Sequence, residues 1–262
     1  MRYGDFEIHA LPEGRFTVGL DKRFVPYVEG APLPKGSLFI AVCPFLVKTP
    51  AGPVLLDCGL GEWAEGRGAE VLLDGLARHG VAREAVTRVL LSHLHFDHAG
   101  GAIHAVGGED RPLFPNAEYV VQKGELDAPY GASSVASRDR VVRALDLAGQ
   151  LVLVEGDARV TDAIEVCHTN GHTRDHQAIR LHTAGRTAVF GGDVLATPGQ
   201  VTRRFLAKYD HDAAHAQAER ERLAREAAEH GHLLLFYHAT ETPAAFVAET
   251  AKGGLAVEPV SL

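Results

Sequence analysis

Cysteine is scarce in this chain of 262 residues: Cys43, Cys58 and Cys167 lie far apart, form no CxxC pair and are odd in number. That argues against a disulfide framework and a thiolate-bound zinc site, and leaves the three as small buried hydrophobes. Long apolar runs are lacking too. No window approaches the roughly 18 uninterrupted apolar residues of a spanning helix, so no membrane partner is expected. The amino terminus "MRYGDFEIHA" carries charges where a secretory apolar stretch would lie, which predicts a cytoplasmic protein. Positive charge is in deficit: 26 Lys and Arg face 34 Asp and Glu, the net charge is -8, and the basic residues form no stripe. Such a chain repels a polyphosphate backbone, so nucleic acid is not an expected partner. A small-molecule substrate is, and a homodimer is compatible with a chain of this kind.

What is present is an ordinary globular composition, 46% hydrophobic and 23% charged, long enough for one large domain spanning residues 1–262. Short β-like runs recur: "FEIHAL", "LFIAVCPFLVKT", "PVLLDCG", "RVLLSH", "AEYVVQ", "LVLVEG", "AIEVCHT", "QAIRLHT", "TAVFGGD" and "HLLLFYH". Helical patterns lie at about 69–79, closed by Gly80, at about 137–148 with Ser137 as N-cap, and at about 211–230, where Glu221 and Arg225 pair four residues apart. The Gly/Pro-rich pieces at 30–36 and 107–115 read as loops. Strands arrive in two batches separated by helices, which predicts an α/β fold with two packed sheets and helices outside.

The stretch "SHLHFDHAGG", residues 92–101, follows the apolar run "RVLL". In an extended segment, side chains two apart point the same way, so His93 and His95 can converge on one point while Asp97 and His98 turn to a neighbouring one. Four metal-capable side chains in six positions are hard to justify without a common ligand, and this geometry suits two metals. Further ligands must come from other strand ends. "TNGHT" offers His172, "FGGDV" offers Asp193 and "FYHAT" offers His238. Each taken singly is more often a satisfied structural residue than a ligand.

The series HxHxDH, GHT, GGD and a strand-terminal histidine, in that order over nearly the whole chain, resembles the metallo-β-lactamase-fold hydrolases. The resemblance implies a four-layer αββα sandwich of two mixed sheets flanked by helices. It also implies a dinuclear site at one rim: His93, His95 and His172 on one metal, Asp97, His98 and His238 on the other, with Asp193 bridging. Asp57 in "LLDCG" resembles a further family element and is read as orienting a ligand, or equally as a strand-terminal cap. His176 is read as structural.

Within that superfamily, His95 departs from the flavodiiron branch, which has an acid there. His98 and the absence of a suitably placed cysteine depart from the true zinc β-lactamases, and no inserted domain or basic surface recommends the nucleases. The segments "SHLHFDHAGG" and "FPNAEYVVQKGEL" look most like the quorum-quenching lactonases and methyl-parathion-hydrolase-like enzymes. Two positions depart from the acyl-homoserine lactonases: Ala196 stands where they carry tyrosine, and "GHTRDH" replaces "GHTPGH", introducing Arg174 and Asp175. The resemblance therefore implies a lactone- or ester-cleaving hydrolase, N-acyl-homoserine lactones included. A phosphotriesterase, a glyoxalase-II-like thioesterase and a non-catalytic metal binder are the alternatives. Two divalent ions, zinc first, then manganese, cobalt or iron, would acidify a shared water to hydroxide and polarise the substrate, with Asp97 protonating the leaving group. Phe16, Phe24, Tyr27, Trp63 and the loop "APYGASSVAS" are candidates for the pocket wall without an assigned role.

Overall fold

Strand residues here are buried on both faces, and that alternation sets the layers. Val54 and Leu56 point to one side and Leu55 to the other; Leu90 is flanked by Val89 and Leu91, Phe190 by Val189, and Leu233 and Leu235 by Leu234. Each leucine among these is at most 1% exposed, and burying one contributes roughly 1.5–3 kcal/mol. In the computed structural model, which describes residues 1–64 and 68–262, these side chains build three apolar layers. The central one lies between two sheets, and the outer two lie under helices.

The first seven-stranded sheet runs in the order Arg2–Tyr3, Phe6–Ala10, Phe45–Thr49, Gly52–Leu56, Arg88–Leu90, Glu118–Gln122, Leu151–Val154. Its last four strands are mutually parallel, so their carboxyl ends share one rim. The second sheet runs Ala158–Thr161, Ile164–His168, Gln177–Thr183, Arg186–Phe190, Leu233–Leu235, Ala244–Glu249, Leu255–Val260. Arg186–Phe190 and Leu233–Leu235 are parallel there, and both end at the rim that Gln177 begins. Gln177 ties the sheets at this rim, donating from its backbone N–H to Ser92 O at 2.9 Å and from its side chain to Leu91 O at 2.8 Å. Helices Glu70–Arg78 and Ala132–Leu147 accompany the first sheet's outer layer, and Ala213–His230 covers the second sheet. The four-layer αββα order expected from the sequence is present.

Several local expectations need correction. The run "LFIAVCPFLVKT" is two strands, Leu38–Val42 and Phe45–Thr49, because Pro44 at the break cannot donate to a ladder. Leu38–Val42 instead joins Gly14–Val18 and Phe24–Pro26 in a small separate sheet. The piece 107–115 is not all loop, since Ile103–Val106 and Glu109–Pro112 pair as a hairpin. The middle helix begins at Ala132, not at 137. Ser137 lies buried inside it, where the small side chains of "ASSVAS" let the helix pack on the short helix Phe96–Ala99. The last long helix is capped by Asp212, whose carboxylate accepts from the Ala214 and His215 N–H groups, and it ends at Gly231 in the left-handed region. The Glu221–Arg225 pair forms as expected.

Candidate metal centre

All seven sequence-predicted ligands meet at this rim. The chain leaves the strand Arg88–Leu90, bends at Ser92 and reaches His95, whose backbone is extended and which is the N-cap of the one-turn helix Phe96–Ala99. His93 and His95 are thus presented by irregular chain ahead of the helix, and a helical turn, not the extended segment expected, places Asp97 and His98. Glycine makes the turn possible: a side chain at Gly101 would collide with the Cys58 carbonyl, and one at Gly192 would meet His176 and Ser92. The donor atoms of His93, His95, His172 and Asp193 lie within 4.8 Å of one another, as do those of Asp97, His98 and His238.

Four of the five histidines have one ring nitrogen fixed from outside. Ser92 Oγ donates its only proton to Asp57 Oδ2 at 2.7 Å, so at 3.0 Å it accepts from His93 Nδ1–H, which leaves His93 Nε2 without a proton. His98 Nδ1 lies 2.7 Å from Asp57 Oδ2, His172 Nδ1 2.9 Å from Asp210 Oδ1, and His238 Nδ1 2.7 Å from Ala41 O. Outer partners of this kind set the tautomer and aim the lone pair of Nε2 inward. His95 is the exception: its Nδ1 faces inward, 2.9 Å from His93 Nε2 and 3.1 Å from His172 Nε2, while Tyr130 packs on its ring.

Asp193 faces both groups. Its Oδ2 lies 3.2 Å from His172 Nε2, and its Oδ1 lies 3.1 Å from His98 Nε2 and 3.0 Å from His238 Nε2. Asp97 Oδ2 lies 3.5 Å from His238 Nε2 and 3.6 Å from His98 Nε2. Burial and the neighbouring imidazoles push His93 and His95 well below the ordinary histidine pKa, so both are neutral donors. Burial disfavours charge on Asp193 as well, but His238, His98 and His172 outweigh it and hold the carboxyl well below its usual range. His98 Nε2 and Asp193 Oδ1 are buried without a hydrogen-bond partner, although they approach each other. Against their burial, Asp193 in turn raises His98 and His238, so a cation would take the place of protons there. Two neutral imidazoles, His93 and His95, and an ionised carboxylate converging with them are the donor chemistry of a divalent cation, and the residues fit one.

A family model described as the metallo-beta-lactamase superfamily matches residues 43–244. This chain belongs to that superfamily. It is accordingly a hydrolase, and its histidine and aspartate groups imply a divalent metal. An N-acyl homoserine lactonase of a Bacillus species is 29% identical over 195 residues, which cover 68% of this chain and 70% of the relative. A probable metal-dependent hydrolase from Staphylococcus aureus superposes with a TM-score of 0.82 at 23% identity, covering 100% of this chain and 99% of its own. AidC, a dizinc quorum-quenching lactonase solved with N-hexanoyl-L-homoserine as product, gives 0.81 at 18% identity, covering 100% and 97%. At those identities the structural likenesses establish the superfamily fold.

Asp57 is the strand-end residue behind the site. Its φ is +56°, in the left-handed region, and it accepts from Ser92 N–H, Ser92 Oγ and His98 Nδ1. His176 is structural: it receives the Asp193 N–H at Nε2 and meets Thr169 Oγ1 at Nδ1. Sequence reasoning missed Asp210, Glu125 and Tyr209 as supports and gave Tyr130, within a pocket-wall candidate loop, no role. Asp210 holds His172 and is approached by the fully buried Arg220 at 3.5 Å. Glu125, also fully buried, accepts from Leu94 N–H and Thr173 Oγ1, and so braces the two ligand-bearing loops together. Tyr130 Oη accepts from the same Leu94 N–H. Tyr209 lies with its ring 5.9 Å from that of His172. Of the pocket candidates, Phe24, Pro129, Tyr130, Gly131 and Ser134 line a cavity of roughly 1040 Å³ over the ligands; Phe16, Tyr27 and Trp63 do not.

Proposed function

We propose that this chain is a dinuclear-metal hydrolase that opens lactones or cleaves carboxylic esters, N-acyl-homoserine lactones among them. The observation that supports two ions is the Asp193 carboxylate, with one oxygen toward each group of donors. His93, His95 and His172 would hold one ion, Asp97, His98 and His238 the other, and Asp193 both. The all-nitrogen-and-oxygen set suits zinc and also accepts manganese, cobalt or iron. When bound, the ions supply an acidified water and an electrophilic partner for the substrate carbonyl. The remaining work falls to side chains. Asp97, on the cavity wall, takes a proton from the attacking water at a carboxylate oxygen and delivers it to the departing alkoxide. Tyr209 stands on the same wall, where Ala196 lacks a phenol. Burial, Asp193 and Asp210 push its pKa up, so it remains a proton-bearing donor that can hold a substrate oxygen.

The test is metal analysis together with a turnover screen of lactones, aryl esters, thioesters and phosphotriesters on metal-loaded protein. About two metal equivalents with lactone or ester turnover is expected. Saturation at a single equivalent overturns the dinuclear reading, and efficient phosphotriester cleavage without any lactone or ester turnover overturns the substrate class.

A further inference from the structure

The cavity wall carries two kinds of side chain. Lys22, Arg174, Arg203, Arg204 and Lys208 are cationic, brought there by three separate segments of the chain. Arg174 pairs with Asp175, but the other four make no side-chain hydrogen bond or ion pair among the described residues. The acids on the wall, Asp97 and Asp193, belong to the proposed ligand set. Some cations elsewhere are paired, Arg180 and Arg222 with Glu226, Arg225 with Glu221 and Arg140 with Asp110, and others, such as Arg78, Arg159 and Lys252, are as unpaired among the described residues as these four; what sets these apart is that they share one cavity wall. Unmatched like charges around one concavity repel each other, in a chain whose net charge is -8. All four are exposed and solvated, and an anion entering the cavity would relieve their repulsion and add attraction. Two of the cations sit close against the wall: a side chain at Gly131 would meet Lys22 Nζ at 3.5 Å, and one at Gly199 would meet Arg203 Nη2 at 3.2 Å.

The second kind is apolar. Val18, Leu20, Leu38, Phe39 and Ile40 come from the small amino-terminal sheet and its turn, with Leu20 99% and Leu38 43% exposed. Apolar side chains in water beside a cavity mark a surface that an apolar ligand covers.

We infer that the substrate is an ester or lactone bearing an anionic group, a carboxylate or a phosphate, separated from the scissile carbonyl by an apolar stretch. The inference rests on the hydrolase reading above and narrows its substrate class. A neutral acyl lactone has an amide and a ring ester to satisfy, which calls for single hydrogen-bond donors; four unmatched cations exceed that need. An anionic tail satisfies them, and charge-assisted hydrogen bonds to Arg are the stronger kind.

The test compares three substrates of equal reach on the metal-loaded enzyme: 4-nitrophenyl hexanoate, mono-4-nitrophenyl adipate and 4-nitrophenyl 5-phosphonopentanoate. The anionic-to-neutral ratio of kcat/KM should be about tenfold or more in low salt and should fall toward one at about 1 M salt, where the Debye length is about 3 Å. The larger ratio of the two anionic arms identifies carboxylate or phosphate. In the variant R203Q/R204Q/K208Q the ratio should collapse, chiefly through KM. A wild-type ratio at or below one, or a ratio unmoved by both salt and the triple substitution, overturns the inference. If no ester or lactone turns over at all, the hydrolase reading fails instead. Binding of 2-naphthylacetate against 2-naphthylacetamide, measured by calorimetry on wild type and the triple variant, then decides the anion site by itself. Preference for the acetate that the triple variant loses sustains the site, and equal binding in both proteins removes it.

Discussion

At the floor of the cavity, four of the five ligand histidines have a fixed outer partner, whereas at the mouth four cations have none among the described residues. The floor is built where parallel strands end, in backbone anchored by the sheets and braced by the buried side chains of Asp57, Glu125, Asp210 and Arg220. The mouth comes from the small amino-terminal sheet, the loop around Arg174 and the segment 203–209, where Arg203, Arg204, Phe205, Leu206 and Lys208 are all exposed. Rigidity and specificity are thereby separated. The floor can keep one reaction class while the mouth changes what enters, because substitutions at the mouth remove little packing.

Loss of a ligand should be the largest effect that tests this division. His95→Ala removes one of the four donors of its group, and we expect metal content to fall from about two equivalents toward one, with activity lost. Thermal stability in metal should fall with it, because an ion bound only by the folded state stabilises that state. Elemental analysis after dialysis decides; full metal and full turnover would remove His95 from the centre. Next in size is a contrast within one residue type. Arg220 is fully buried, donates to Val194 O and Phe205 O, and approaches Asp210. Arg220→Met should cost about 3–5 kcal/mol, since it strands a buried carboxylate and two carbonyls. Arg203→Gln at the mouth should stay within about 0.5 kcal/mol. Urea melts of the two variants measure it, and equal losses would erase the distinction between floor and mouth.

The same division explains what the sequence made legible. His93, His95, Asp97 and His98 are adjacent, so short-range geometry was enough to group them, and His172, Asp193 and His238 stood out as polar residues closing apolar strands. The two sheets followed from the batching of strands. The braces left no such mark. Glu125 reaches Leu94 across 31 residues and Asp210 reaches His172 across 38, contacts that exist only once the strands within each sheet have come together. Arg220 sits in a helix that reads as polar along its length, and its burial follows from which face docks on the second sheet. The split of "LFIAVCPFLVKT" was signalled by Pro44, but a continuous apolar run hides which sheet each half joins.

Asp57→Asn sharpens the comparison from within the floor. The substitution keeps shape and loses charge at a residue that accepts three hydrogen bonds, one of them from His98. We expect metal affinity or kcat/KM to fall by about 10- to 100-fold, the range for residues that orient a ligand, with metal still bound at saturation. Titration against a competing chelator separates this from the His95→Ala outcome. An unchanged affinity and rate would make Asp57 a strand cap only.

A single hydrogen bond in the floor, removed by Thr173→Val, should have an effect whose size depends on pH. Thr173 Oγ1 donates to Glu125, and Leu94 N–H donates to the other carboxyl oxygen. Burial raises Glu125 to about 7, with these two donors holding it from going higher. A carboxyl raised in the folded state binds its proton more tightly there than in the unfolded chain. Its contribution is therefore full below the unfolded value of about 4.5 and is lost as pH rises through about 7. Below that window Glu125 is protonated, and loss of one neutral hydrogen bond should cost about 1 kcal/mol. Above it the buried carboxylate loses a donor to a charge, a loss of about 1.5–3 kcal/mol, and the folded pKa should move up. Urea melts of wild type and variant at pH 5.5 and pH 8.5, both metal-loaded, give the two differences. A larger destabilisation at the higher pH is expected. Equal values would mean that Glu125 braces the loops as a neutral acid throughout.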